Sequence, residues 1–271
     1  MLNSRSTFKA CAASVKAECE TIPGIHFVRE SVASTTPCDD IARACGCDYV
    51  CAIDTGMYDA VGHGLDAAVA AGCDILAWLN ADEQYQPGAF NAVAAAFEAD
   101  PELDLVFGDY LILGADGRLL AARREIPPRL FYLRHGVNYL LSCTVFFRAG
   151  FWRRFGGFDP AYSLVADKKF YFRALESGAK VRHLPAFLGV YGSTGHNISL
   201  LPAAAEEQRR LRDEIGASPH PALRRCVRAL RGAEKLLRGC YWPRKISTTV
   251  FNAEGEPQPF TGRLSTRWRW S

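Results

Sequence analysis

The chain has 271 residues, 49% hydrophobic and 23% charged, an ordinary balance for a folded domain with a buried core. A net charge of +3 is too small to make nucleic acid the main partner. The longest apolar stretch, Leu65 to Leu79, is broken by Asp66 and Asp74, so nothing reaches the roughly 18 residues needed to span a bilayer.

Ten cysteines are many, but the chain is long and its first residues lack the apolar core of a secretion signal. Cys51, Cys73 and Cys143 lie in apolar runs, where Cys packs as a small hydrophobe. A reducing cytoplasm is the expected compartment. Cys45, Cys47 and Cys51 do not have the spacing of paired zinc knuckles, which favours packing over metal binding.

In chain order, Phe8, Cys11, Ala12 and Val15 repeat at helical spacing between Ser6 and Glu18. Pro23-Gly24 breaks that helix, and Ile25 to Val28 reads as a short strand. Asp39 and Asp40 start a short helix, and Tyr49 to Ile53 form a second strand ending at Asp54. An alanine-rich helix runs from Tyr58 to Ala71 and closes at Gly72. Asp74 to Leu79 is a continuous apolar run of the kind found in strands buried on both faces. A helix from Gly88 to Ala99 precedes Pro101, a strand covers Leu103 to Phe107, and a hairpin is expected around Gly114 to Gly117. Strands alternating with helices predict an α/β fold with a mixed but mostly parallel central sheet.

Ala203 to Glu214 and Pro221 to Leu237 are helical in pattern and rich in Arg. Residues 1–202 are expected to form the main domain, 203–245 a basic helical extension and 246–271 an irregular tail. The extension has two readings. One is a solvated, packed helix; the other is peripheral attachment to an anionic membrane surface, with Arg on one face and Leu or Val on the other.

Ligands of parallel α/β sheets bind beyond the carboxyl ends of the strands. Two strands end in acidic residues, at Asp54 and at Asn80-Ala81-Asp82. A carboxylate fixed there can hold Mg²⁺ or Mn²⁺, with further ligands from a nucleotide diphosphate. The alternative is that Asp82 caps the adjoining turn.

Leu79-Asn80-Ala81-Asp82-Glu83 with Tyr85-Gln86-Pro87-Gly88-Ala89 resembles the stretch around the acidic metal motif of glycosyltransferase family 2. Asp54-Thr55-Gly56-Met57-Tyr58-Asp59-Ala60 is similar to that family's Asp-x-Gly-x-Tyr-Asp-Ala segment. Phe107-Gly108-Asp109, Gly156-Gly157-Phe158-Asp159, Ala166-Asp167 and Arg173 follow in the family's order. The resemblance runs from about residue 6 to residue 199.

It implies a GT-A nucleotide-binding fold, a nucleotide-sugar donor, a divalent metal ion and a glycan or lipid-linked acceptor in bacterial cell-surface polysaccharide or lipopolysaccharide synthesis. It further implies that Asp82 holds the metal beside Asn80, and that Asp54, Glu30 and Arg173 lie in the nucleotide pocket. Asp167 corresponds to the base of inverting members; a positioned carboxylate suits removal of an acceptor hydroxyl proton. The other reading of Asp167 is an ion pair with Lys168, Lys169 or Arg173. His196, in the glycine-rich loop Gly192 to Ser199, stands as a metal ligand or a phosphate contact.

Four features depart from the family. No apolar strand ending in Pro-x-x-Asn precedes the first helix, Glu30 replaces the Asp of the second-strand loop, Gly62-His63 replaces Asn-Lys, and Glu83 replaces the second Asp of the metal motif. They keep open a non-catalytic relative that binds sugar nucleotide, glycan or a partner enzyme. A nucleotidyltransferase would need a basic, glycine-rich triphosphate loop near its start, and none is visible.

Overall fold

A computed structural model describes residues 1–135, 138–193 and 201–268. His196 lies outside the described residues. The chain opens with α1 (Arg5–Cys19), β1 (Phe27–Ser31), α2 (Asp39–Ala44), β2 (Asp48–Ala52) and α3 (Met57–Ala70). There follow β3 (Ile75–Ala77), β4 (Gln84–Tyr85), α4 (Ala89–Glu98), β5 (Leu105–Gly114), β6 (Leu119–Arg123) and α5 (Leu130–Arg134). The second half contains β7 (Val145–Arg148), α6 (Ala149–Phe155), α7 (Ala166–Glu176), β8 (Val181–Ser193), α8 (Pro202–Glu214), α9 (Pro221–Leu237), β9 (Lys245–Phe251) and β10 (Pro257–Arg263).

The expected α/β class holds, with helices flanking a mixed central sheet. Its strands run in the order β3-β7-β5-β8-β4, and β6 also pairs with β5. The parallel share is smaller than the strand–helix alternation suggested. In this sheet β5–β8 is parallel, whereas β3–β7, β5–β7, β4–β8 and β5–β6 are antiparallel. The reason is local: β6 returns through the tight hairpin at Gly117, and β7 inserts between β3 and β5, running against both.

β1 and β2 pair in parallel as a separate ribbon. The other edge of β1 is met by Met1, whose amine donates to the Arg29 carbonyl at 2.5 Å and whose carbonyl accepts from the Ser31 amide at 2.8 Å. A cavity of about 1860 Å³ lies between this ribbon and the main sheet, lined by Phe27, Val28 and Arg29 on one side and Ile75 to Ala77 on the other.

Helix α1 buries Phe8, Cys11, Ala12 and Val15, the apolar series at helical spacing. Two of its polar groups are buried for a different reason. The Ser14 hydroxyl accepts from the Tyr85 amide (3.1 Å), and the Glu18 carboxylate accepts from the Gly88 and Phe90 amides (2.8 Å each). Glu18 thereby satisfies orphan donors at the start of α4. The segment after Asp82 is pinned at both ends.

Beneath the site, Trp78 stacks on Tyr171 (6.2 Å between centroids, 16°) and meets Phe158 edge-on at 5.4 Å. This aromatic layer joins the end of β3 to α7.

Residues 246–271, expected to be irregular, are corrected by the structure. β9 and β10 form an antiparallel hairpin closed by a turn at Gly255 (φ 74°). The Gln84 side chain donates to the Phe251 carbonyl (2.9 Å) and accepts from its amide (2.8 Å). Polar residues on both faces obscured the alternation of Ile246, Thr248 and Val250.

The basic extension packs on the main domain. In α8, Glu207 accepts from the Ser163 and Leu164 amides (3.0 and 2.8 Å), and Glu214 meets Tyr162 and Lys169. The loop leading into α7 is thus held by α8. All ten cysteines are free thiols.

Candidate active site

Asp54, Asn80, Asp82 and Asp167 all line the large cavity. They come from the ends of β2 and β3 and from the first turn of α7, so three separate chain segments converge on it.

Asp82 is half-buried. Burial raises its carboxyl above the usual range, opposed by a hydrogen bond from its own backbone amide and, among the described residues, by no cation. Such a carboxylate is costly to ionise unless a cation reaches it, and it fits a divalent ion completed by phosphate oxygens. Its position is fixed by close backbone contact: a Cβ on Gly192 of β8 would lie 2.3 Å from the Asp82 carbonyl oxygen.

Glu83 behaves otherwise. It is fully buried, its carboxylate accepts from the Asn80 amide (2.9 Å) and from the Ser142 hydroxyl (3.3 Å), and burial beside Asp82 pushes it up to about 8. At neutral pH it is a neutral acid bracing the Asn80 turn.

Asp167 receives a 2.7 Å hydrogen bond from the Tyr58 hydroxyl of α3. Burial raises its carboxyl, while Lys168 and the Tyr58 hydroxyl pull the other way. A carboxylate whose affinity for protons is raised is a better general base. Lys168 shares the cavity wall, and the ion pairs of Lys169 run elsewhere, to Asp159 and Glu214.

Asp54 is almost buried at the side chain and pairs with Arg29 (2.7 Å) and His63 (3.1 Å). Asp54, Asp59 and His63 are the one group of three among the described residues close enough to share a cation, with ligand atoms within 4.8 Å. Arg29 already neutralises Asp54, and Asp59 accepts from the Thr55 amide (2.8 Å), which makes this a poor cation cage.

Two expected residues do not reach the cavity. Glu30 faces away and accepts from the Cys38 amide (2.9 Å) and the Tyr49 hydroxyl (2.7 Å), tying the loop after β1 to β2. Arg173 lies in a smaller hollow with Asp159 and Glu176, its guanidinium against the Phe155 ring and carbonyl. The residue missed next to Glu30 is Arg29. Strand alternation puts neighbours on opposite faces, and a buried Val28 and Glu30 turn Arg29 toward the site. Tyr58 joins the site through its hydroxyl on Asp167, a contact between α3 and α7 that no local pattern announces.

No protein-family model matches the sequence. A "PGL/p-HBAD biosynthesis glycosyltransferase" of Mycobacterium bovis is 28% identical over 144 residues, covering 52% of this chain and 53% of the relative. A Mycobacterium tuberculosis protein of the same description matches equally. The chain therefore spans about half the length of these curated relatives. The crystal structure of S. aureus TarS, residues 1–349, superposes with a TM-score of 0.59 at 15% identity, over 89% of this chain and 70% of that one.

The fold is GT-A-like. In this GT-A-like frame, the cavity lies where the ends of β2 and β3 meet the start of α7.

Proposed function

We propose that the chain is a glycosyltransferase moving a sugar from a nucleotide-sugar donor to an acceptor hydroxyl, by a single displacement with inversion. The observation that carries this reading is the convergence of Asp54, Asn80, Asp82 and Asp167 on one cavity of a GT-A-like fold. Asp167 accepts the acceptor hydroxyl proton, and Tyr58 positions it by hydrogen bonding. Asp82, beside Asn80, would hold Mg²⁺ or Mn²⁺; the ion, when bound, supplies positive charge against the departing diphosphate. Asp54 and Arg29 form the nucleotide side of the cavity, and Lys168 adds a cation next to the base. The resemblance of its motifs favours a glycan or lipid-linked acceptor, and the relatives are described as acting in PGL/p-HBAD biosynthesis.

The test is transfer or hydrolysis across a panel of nucleotide sugars with Mg²⁺ or Mn²⁺. Turnover abolished by Asp82→Ala and by Asp167→Asn supports the reading. Tight nucleotide-sugar binding without turnover, unchanged in Asp167→Asn, would replace it with a non-catalytic binding role.

A further inference from the structure

Helix α9 sits on the domain the wrong way round for a solvated surface helix. Three of its charged residues, Arg231, Glu234 and Lys235, point inward and are paired there. Lys235 donates to Glu125 at 3.0 Å, Arg231 pairs with the same carboxylate and lies 4.3 Å from the Tyr139 ring centroid, and Glu234 takes Arg129 (2.7 Å) and the Tyr132 hydroxyl (2.8 Å). Of its apolar residues only Val227 is buried.

The rest of the apolar set faces outward. Leu223, Cys226, Leu230 and Leu237 recur at helical spacing along one stripe, with Leu236 beside them. Leu230 is 54% exposed, Leu237 87%, and Trp242, just beyond the helix, 63%. Arg225, Arg228 and Arg238 are exposed as well, and helical spacing sets Arg225 next to Leu236. The sole carboxylate between residues 217 and 245 is Glu234, already bound to Arg129 and Arg238.

We propose that this face of α9, with Trp242, lies in the interface of an anionic lipid bilayer. An exposed leucine stripe gains by leaving water, and an unbalanced rim of arginines selects negative headgroups. The same charge argues against self-association, because two copies meeting through this face would bring unpaired guanidinium groups together. At ~1.5 Å per residue the helix is long enough to lie along a membrane. No helix among the described residues is long and apolar enough to cross one. The inference holds whatever reaction the cavity performs.

The experiment is flotation of the intact chain with vesicles of phosphatidylcholine, with and without phosphatidylglycerol. Binding to the anionic vesicles is expected, weakened by salt and lost in Leu230→Glu/Leu237→Glu, whose altered positions are exposed and leave the melting temperature unchanged. Arg225→Gln/Arg228→Gln should lower partitioning about tenfold or more. Absence of binding to either vesicle overturns the proposal, as does binding to both alike without salt dependence. Sedimentation showing a dimer that Leu230→Glu/Leu237→Glu dissociates would assign the face to a second copy instead.

Discussion

Glu83→Gln should make the protein more stable, and by an amount that depends on pH. The ordinary carboxyl value of 4.5 is pushed to about 8 in the fold by burial and by Asp82. Below about pH 4.5 both folded and unfolded chains keep the proton, and Glu83 costs nothing. Above it the unfolded chain ionises while the folded one does not, so stability falls as pH rises, until the folded group also ionises near pH 8. At ~1.4 kcal/mol per unit, the penalty is about 3 kcal/mol at pH 7 and about 5 kcal/mol above pH 8. Glutamine keeps the shape, its carbonyl oxygen can accept from the Asn80 amide, and it never ionises. Urea denaturation of both proteins from about pH 4 to about pH 9 should give curves that coincide in acid and diverge with rising pH. Added Mn²⁺ should narrow the gap, because a cation at Asp82 removes part of what raises Glu83. A gap that is constant with pH, or that widens toward acid, refutes the reasoning.

Tyr58→Phe removes the hydrogen bond to Asp167, a contact with a charged group worth roughly 1.5–3 kcal/mol. The acidic limb of the turnover–pH profile should move up by about one to two units; an unmoved limb would mean that Asp167 is not the titrating base. Gly192→Ala drives a methyl into the Asp82 carbonyl and should cost about 1–3 kcal/mol of stability, with weaker Mn²⁺ affinity by calorimetry; unchanged affinity would remove Asp82 from the metal site. Arg29→Ala leaves the buried Asp54 carboxylate with His63 as its remaining partner and should cost up to about 3 kcal/mol. Arg29→Ala/Asp54→Asn should recover part of that loss in thermal melts, and equal stability of the two variants would show that the pair is not coupled.

Most helices of the fold were legible because they are periodic and punctuated. α2 and α9 fall within their expected bounds, and α1, α3 and α4 within a residue or so. β4 and β7 are only two and four residues long and carry no period of their own; they exist because β8 and β5 offer partners. The hairpin β9–β10 was hidden for a related reason, being held by the side chains of Gln84 and Gln86, which no local pattern announces. The acidic strand ends Asp54 and Asp82 could be read because they follow strand-like runs directly. Glu30 could not be separated from Arg29 until pairing with β2 fixed which face each one occupies.

The deeper content of the site lies in how one cavity treats three acids. Asp82 and Glu83 are adjacent in sequence and both border the cavity, yet Asp82 is half-buried with no cation near it among the described residues, while Glu83 is fully buried and hydrogen-bonded by Asn80 and Ser142. Their proximity means that the two do not ionise independently, and Glu83 yields by keeping its proton. That leaves Asp82 as the single negative charge of the pair, available to a cation. Asp167, on another segment, is tuned separately by Tyr58 and Lys168. Environments that push carboxyl groups apart in this way let one site hold acids of different protonation. Glu83 therefore acts as a buried brace of the Asn80 turn and not as a second charge facing the cavity.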